Sequence, residues 1–238
     1  RDGDRLRHSL AVGRPGGTIP PYTAYADLAI GSGRQGRSYL TVERGAVWQS
    51  PLSWFRQGDR WAPSPGFDLG AASRRAVEPG CLFCHADPVA PVGGALNRYH
   101  EPLFRFQPSI GCERCHGPGE LHVAERAAGG AGPGPDYSIV NPGHLPPDLA
   151  ADVCRQCHLQ GVARIDRRGR SPFEYRPGLP WDQFVSVFLP AADPDDARKS
   201  VGHFEQMEQS RCATGGLSCT SCHDPHSAPA ADDVPAHY

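Results

Sequence analysis

Cys112-Glu113-Arg114-Cys115-His116-Gly117-Pro118-Gly119-Glu120-Leu121-His122 is the stretch on which the reading turns. Its first five residues have C-x-x-C-H spacing. The same spacing returns as Cys81-Leu82-Phe83-Cys84-His85, Cys154-Arg155-Gln156-Cys157-His158 and Cys219-Thr220-Ser221-Cys222-His223. Two thiols so separated can add to the two vinyl groups of one porphyrin, and the histidine that follows is then pinned under the iron. Zinc ribbons also use C-x-x-C pairs, but they have no need of a histidine directly after each pair. A thioredoxin-like dithiol would occur once, beside a βαβ pattern. Four such motifs in 238 residues predict four haem c groups. The attaching residues would be Cys81, Cys84, Cys112, Cys115, Cys154, Cys157, Cys219 and Cys222. The proximal ligands would be His85, His116, His158 and His223.

The composition agrees. Gly (28) and Pro (25) are too frequent for a long helical bundle, and the apolar fraction of 39% is low for a self-sufficient core. A porphyrin is a large apolar plate, and it would replace side chains in the interior. The expected fold is therefore mostly irregular, with short helices around four haems and a small β-rich N-terminal region. The expected division is residues 1–75 for the β-rich region and 76–238 for the tetrahaem domain. Within it, strands are predicted over Arg5–Val12, Tyr22–Ile30, Ser38–Glu43 and Ala46–Gln49. Helices are predicted over Glu120–Ala128, Asp148–Cys157 and residues 195–211, with a Gly/Pro linker at Gly129–Pro135 and a tail at Ser227–Pro235.

Seven histidines and Met207 remain for the sixth coordination positions. His226 lies three residues after His223. Histidines on opposite faces of one haem need Cα atoms roughly 12 Å apart, and three residues span at most about 10 Å. His226 is therefore expected to serve a neighbouring haem. His122, in a predicted helix six residues after His116, reads the same way. His144 sits in the turn Asn141-Pro142-Gly143-His144. His203 and Met207, four residues apart, share a helix face and compete for one position. His100 and His8 are weaker candidates, and His237 the weakest. Cys212 is left over and is read as a structural thiol. Trp48, Trp54 and Trp61 are expected to cover the sheet or the first haem.

The formal charge of −2 excludes a basic nucleic-acid binder. Of the 24 basic residues, only Lys199 is lysine; the arginines are natural partners for carboxylates and haem propionates. Residues 1–60 carry net +4 and residues 182–238 net −6, an asymmetry that would allow head-to-tail association. No apolar run approaches transmembrane length. The chain begins at Arg1 without a signal peptide, which reads as a mature product or a piece of a longer chain.

Gly111–His122, Ile30-Gly31-Ser32-Gly33, Arg37-Ser38-Tyr39-Leu40, Ser53-Trp54-Phe55, Ser64-Pro65-Gly66-Phe67, Met207 with Ser210-Arg211-Cys212, and Ser221-Cys222-His223-Asp224-Pro225-His226 together resemble multihaem c-type cytochromes. The resemblance is to the tetrahaem cytochromes of nitrifiers. It is closer to the tetratricopeptide-associated multihaem cytochromes of planctomycetes and acidobacteria. It implies periplasmic or extracellular electron transfer with redox protein partners, and it carries over His122 and His226 as ligands to adjacent haems. Members of that group often have further C-x-x-C-H motifs on both sides, so the resemblance also implies a shortened relative or a fragment. The expected function is electron transfer, with membership of a larger redox assembly or haem filament as one form of it. The alternative is a multihaem oxidoreductase with one open-face haem, acting on a small nitrogen or sulfur compound. No C-x-x-C-K motif supports that alternative.

Overall fold

A computed structural model describes residues 6–14, 17–67, 74–104, 108–130, 134–189 and 202–227. The weakest ligand candidate, His237, lies outside these residues, as do residues 195–201 of the predicted third helix and most of the predicted tail. The chain forms two compact units, Arg1–Gly111 and Cys112–Tyr238.

The first unit begins with eight strands: β1 (Leu6–Arg14), β2 (Gly17–Ala26), β3 (Leu28–Ile30), β4 (Gly36–Glu43), β5 (Ala46–Gln49), β6 (Leu52–Phe55), β7 (Arg60–Pro63) and β8 (Arg75–Ala76). β1 and β2 form a long antiparallel hairpin. The other strands form one sheet in the order β7-β6-β4-β5-β8, with β3 also paired to β4. The β4–β5 turn needs a left-handed residue pair, which Arg44 (φ 51) and Gly45 (φ 75) supply. Helix α1 (Pro79–His85) follows the sheet.

The chain after α1 is laced back onto the sheet. Val47 and Asn97 exchange hydrogen bonds: the Val47 N–H donates to Asn97 O at 2.9 Å and Asn97 Nδ2 donates to Val47 O at 2.8 Å. The Tyr99 hydroxyl donates to Val77 O at 2.6 Å. Leu40, Val47, Val77, Leu82, Phe83, Val89 and Tyr99 are buried in this unit. His8, in β1, belongs to the same packing. Its ring lies edge-on to Tyr39 and Trp61, and its Nδ1 is 2.5 Å from Ser50 Oγ.

His8 is 4% exposed, and burial pushes its imidazole below the usual histidine pKa. The folded form therefore resists protonation more than the unfolded chain does. The resulting stability is complete above the ordinary histidine pKa of about 6.5 and declines as pH falls through it. Urea melts are expected to show this unit less stable at pH 5.5 than at 7.5. That difference should shrink in His8→Gln; an unchanged difference would acquit His8.

The second unit contains α2 (Glu113–His116), α3 (Glu120–Ala127), α4 (Pro147–His158), the hairpin β9 (Ala163–Asp166) with β10 (Val185–Phe188), α5 (His203–Glu208) and α6 (Arg211–Thr214). The helix predicted over 195–211 is interrupted. Ser210 Oγ donates to Met207 O at 2.6 Å and accepts from the Ala213 N–H at 3.3 Å. It thereby ends α5 and caps α6. The apolar core is small. Val153, Tyr175, Trp181, Phe184, Val185 and Phe204 are its buried apolar side chains among the described residues. Tyr175 packs edge-on against Trp181 and Phe184, with ring centroids 5.2 and 5.8 Å away. Asp152, also buried, accepts the Trp181 N–H at 2.9 Å and pairs with Arg155.

Candidate haem sites

The C-x-x-C-H spacing acts through helix periodicity. Residues three apart share a helix face, so both thiols of a motif point the same way. In α1, Leu82 and Phe83 are buried while Cys81 is exposed and Cys84 half-buried. In α4, Asp152, Val153 and Gln156 face inward while Cys154 and Cys157 are half-buried. Cys112 caps α2, which carries Cys115 and His116. A 3₁₀ turn over Cys219–Ser221 does the same for the last motif. No disulfide joins any of the nine cysteines.

Three motifs converge within the second unit. Gln156, 1% exposed, donates its amide to Arg114 O at 3.1 Å and Val153 O at 2.9 Å, tying α4 to α2. The Cys154 and Cys219 thiols share a hydrogen bond, which raises the Cys154 pKa and lowers that of Cys219 to about 6. Cys115 lies close enough to Cys154 to add to its upward shift. The motif closest to the N-terminus lies on α1 of the first unit.

Four of the imidazoles form two pairs. His116 and His226 have ring centroids 5.8 Å apart and planes 15° apart. His158 and His203 have centroids 6.5 Å apart and planes 62° apart. Metal–imidazole bonds run about 2.0–2.1 Å, so two rings sharing one metal from opposite sides have centroids roughly 6 Å apart. Both pairs have that spacing. His116 Nδ1 donates to Val140 O at 2.8 Å, and the Val140 N–H returns a bond to His116 O at 3.1 Å. This fixes the tautomer and leaves Nε2 for a metal. Among the described residues, no group of three or more His, Cys, Asp or Glu forms a metal cage. Paired imidazoles beside C-x-x-C thiols fit haem c, whose iron would take the imidazoles and whose vinyl groups would take the thiols.

His226 is held by its own turn. Its N–H donates to Asp224 Oδ1 at 2.9 Å, and Ser227 Oγ donates to Asp224 Oδ2 at 2.6 Å. His122, on α3, is likewise oriented through Nδ1, 2.9 Å from Asp136 Oδ2 and 3.3 Å from Ser138 Oγ. Asp136 is held in turn by Arg126 and Ser138, whose hydrogen bonds keep its carboxyl well below the usual carboxylate range. His144 is exposed in a 3₁₀ turn over Pro142–His144, capped by Asn141 Oδ1 on the Gly143 N–H at 3.0 Å. His100 is exposed in a loop, its N–H bonded to Ala90 O at 2.8 Å. Met207 is half-buried on α5, with the Ser210 hydroxyl 3.9 Å from its sulfur. Cys212 is exposed on α6.

The orienting groups Val140, Asp136 and Asp224 escaped the sequence reading. Only Asp224, in the Cys-His-Asp-Pro-His run, carries a local signal, an Asx residue two before the ring it positions.

Residues 66–117 match the family model described as cytochrome c554 and c-prime. The stretch includes the first two motifs. Two solved structures are similar to the chain. One is the outer cell wall cytochrome OcwA, with TM-score 0.42 and 18% identity over 68% of this chain and 33% of that one. The other is the undecahaem cytochrome from the S-layer of Carboxydothermus ferrireducens, with TM-score 0.40 and 16% identity over 86% of this chain and 32% of that one. The chain spans about a third of the length of each. No curated protein matches.

Proposed function

We propose that this multihaem c-type cytochrome carries electrons through four covalently attached haems, in the periplasm or outside the cell, as part of a larger redox assembly or filament. Each haem, when bound, supplies a one-electron iron couple whose potential depends on its axial ligands and surroundings. The eight motif cysteines hold the macrocycles, and His85, His116, His158 and His223 are the proximal ligands. His226 faces His116 and His203 faces His158 as sixth ligands. His122 and His144 are the candidates for the remaining positions. The pairing of imidazoles at two motifs carries this reading, because a metal saturated by two imidazoles exchanges electrons rather than binding substrate. Redox proteins are the partners this implies. Head-to-tail self-association is favoured by the +4 and −6 charge of residues 1–60 and 182–238. Among the described residues no helix is long and apolar enough to cross a membrane.

Intact mass and haem spectra test the proposal. The mass should exceed that of the polypeptide by four haems, and carbon monoxide should leave the reduced spectrum unchanged. A mass short of four haems would overturn the count. Carbon monoxide binding would favour the oxidoreductase reading.

Asp136 offers a finer test. A carboxylate on the outer nitrogen of a ligating imidazole raises its basicity and fixes its orientation, and losing such a partner weakens metal binding by about 10–100-fold. Asp136→Asn is expected to raise the midpoint potential of one haem and to make its sixth ligand easier for cyanide to displace. Four unchanged midpoints would remove His122 from the ligand set.

A further inference from the structure

We infer that Glu205 is the positioning residue that holds His203 opposite His158. The inference rests on the reading that these two imidazoles share one iron.

Glu205 is 1% exposed. A carboxylate is costly to bury unless its oxygens are satisfied. Oε1 accepts the Gln160 N–H at 3.0 Å and the Gly161 N–H at 2.7 Å. Oε2 is buried too and has no hydrogen-bond partner among the described residues, so the two N–H groups on Oε1 are what hold the carboxylate in place. The two donor residues lie in the turn that leaves α4 immediately after His158. Glu205 itself lies in the first turn of α5, two residues after His203. One carboxylate therefore ties the segment after the proximal histidine to the helix bearing the distal one.

Two glycines allow the approach. A Cβ at Gly202, the residue before His203, would lie 3.0 Å from His158 O and 2.4 Å from Glu205 Oε2. The start of α5 thus rests on the carbonyl of the facing histidine. Gly161 has φ +60, and a Cβ there would lie 2.4 Å from Phe188 O. Its left-handed conformation belongs to the same tight turn that presents the N–H to Glu205. The two imidazoles are themselves exposed in the polypeptide, and the backbone clamp ties the segments that carry them. Arg155, half-buried and lying 4.8 Å from the buried Phe204 ring, is a second contact between α4 and α5; its 3.2 Å bond to Glu208 ends on an exposed carboxylate, where an ion pair contributes little.

The test compares variants of the intact four-haem protein by the fraction of high-spin haem and by carbon monoxide binding after reduction. His203→Ala reports on the parent reading and should convert one haem of four. Glu205→Ala should convert the same haem, with all four still attached. Glu205→Gln, which keeps an acceptor for the two N–H groups, should stay low-spin, as should Glu208→Ala. If His203→Ala converts a haem and Glu205→Ala does not, the clamp is refuted and the ligand pair stands. If His203→Ala leaves all haems low-spin, the ligand pair itself falls. Should Glu205→Ala not accumulate, Glu205→Asp decides. It keeps the charge but withdraws the oxygens by one methylene, so one haem should convert; a wild-type spectrum would refute the clamp.

Discussion

A chain in which all eight motif cysteines are replaced by alanine is expected to lose the structure of its second unit while keeping much of the sheet in its first. The reason is the distribution of apolar burial. In the first unit, strands β3–β8 and helix α1 enclose Leu40, Val47, Val77, Leu82, Phe83 and Tyr99. Sheet hydrogen bonds and the Asn97 and Tyr99 laces close that packing. In the second unit the buried apolar side chains are few, and α4 and α5 contribute one each, Val153 and Phe204, among the described residues. Large apolar side chains stand exposed in the polypeptide by itself: Leu121, Val123, Ile165, Phe188 and Leu217, with Tyr137 91% exposed. Short helices are marginal without an apolar surface to pack on. Alanine is the better replacement for this test, because the touching thiols of Cys154 and Cys219 would otherwise oxidise and staple the haem-free chain. Hydrogen exchange should find the amides of α2–α6 unprotected and those of β4 and β5 protected. Protected α3 and α4 in the haem-free protein would show that side chains, not porphyrin, form this unit's interior.

What the sequence discloses here is local, and what it conceals is tertiary. C-x-x-C-H is legible because attachment chemistry and helix periodicity both act within five residues. β5 emerges from the apolar run Ala46–Gln49, and α4 from its periodicity. β6 and β7 are obscured because Pro51 immediately precedes the one and Pro63 ends the other, and prolines at these points read as turn rather than strand. The hairpin of β9 and β10 is hidden because nearly twenty residues separate its strands, so no short turn signal marks them as a pair. The reach argument for His226 needs only its distance from His223. Which ring it faces depends on how a turn near residue 225 folds onto α2. Met207 and His203 are equivalent by helical spacing, and only the position of α5 on the end of α4 separates them: His203 stands against His158, while Met207 contacts Ser210. Glu205 is the extreme case. In the sequence it is one more acid in an acidic stretch, and its burial depends on two N–H groups more than forty residues away.

Replacing His226 is expected to open one haem without detaching any, and the haem affected should not be the one bound next to it in the chain. Cys219, Cys222 and His223 would still hold the fourth haem, whereas His116 would lose the ring that faces it at 5.8 Å. His226→Ala should therefore yield a high-spin, carbon monoxide-binding haem with a raised potential. His226→Met should restore a low-spin haem whose potential is higher still than that of the imidazole pair. Epistasis identifies the haem. In a background lacking the second haem, with Cys112→Ala and Cys115→Ala, removing His226 should leave the remaining haems unchanged. In a background lacking the fourth, with Cys219→Ala and Cys222→Ala, it should still convert one haem, provided Asp224 continues to hold the turn through the His226 N–H. The reverse pattern would mean that His226 ligates the haem of its own motif and that the reach argument is wrong. No effect in either background would leave the near-parallel rings as a contact between two surface imidazoles, and the second haem would need another sixth ligand.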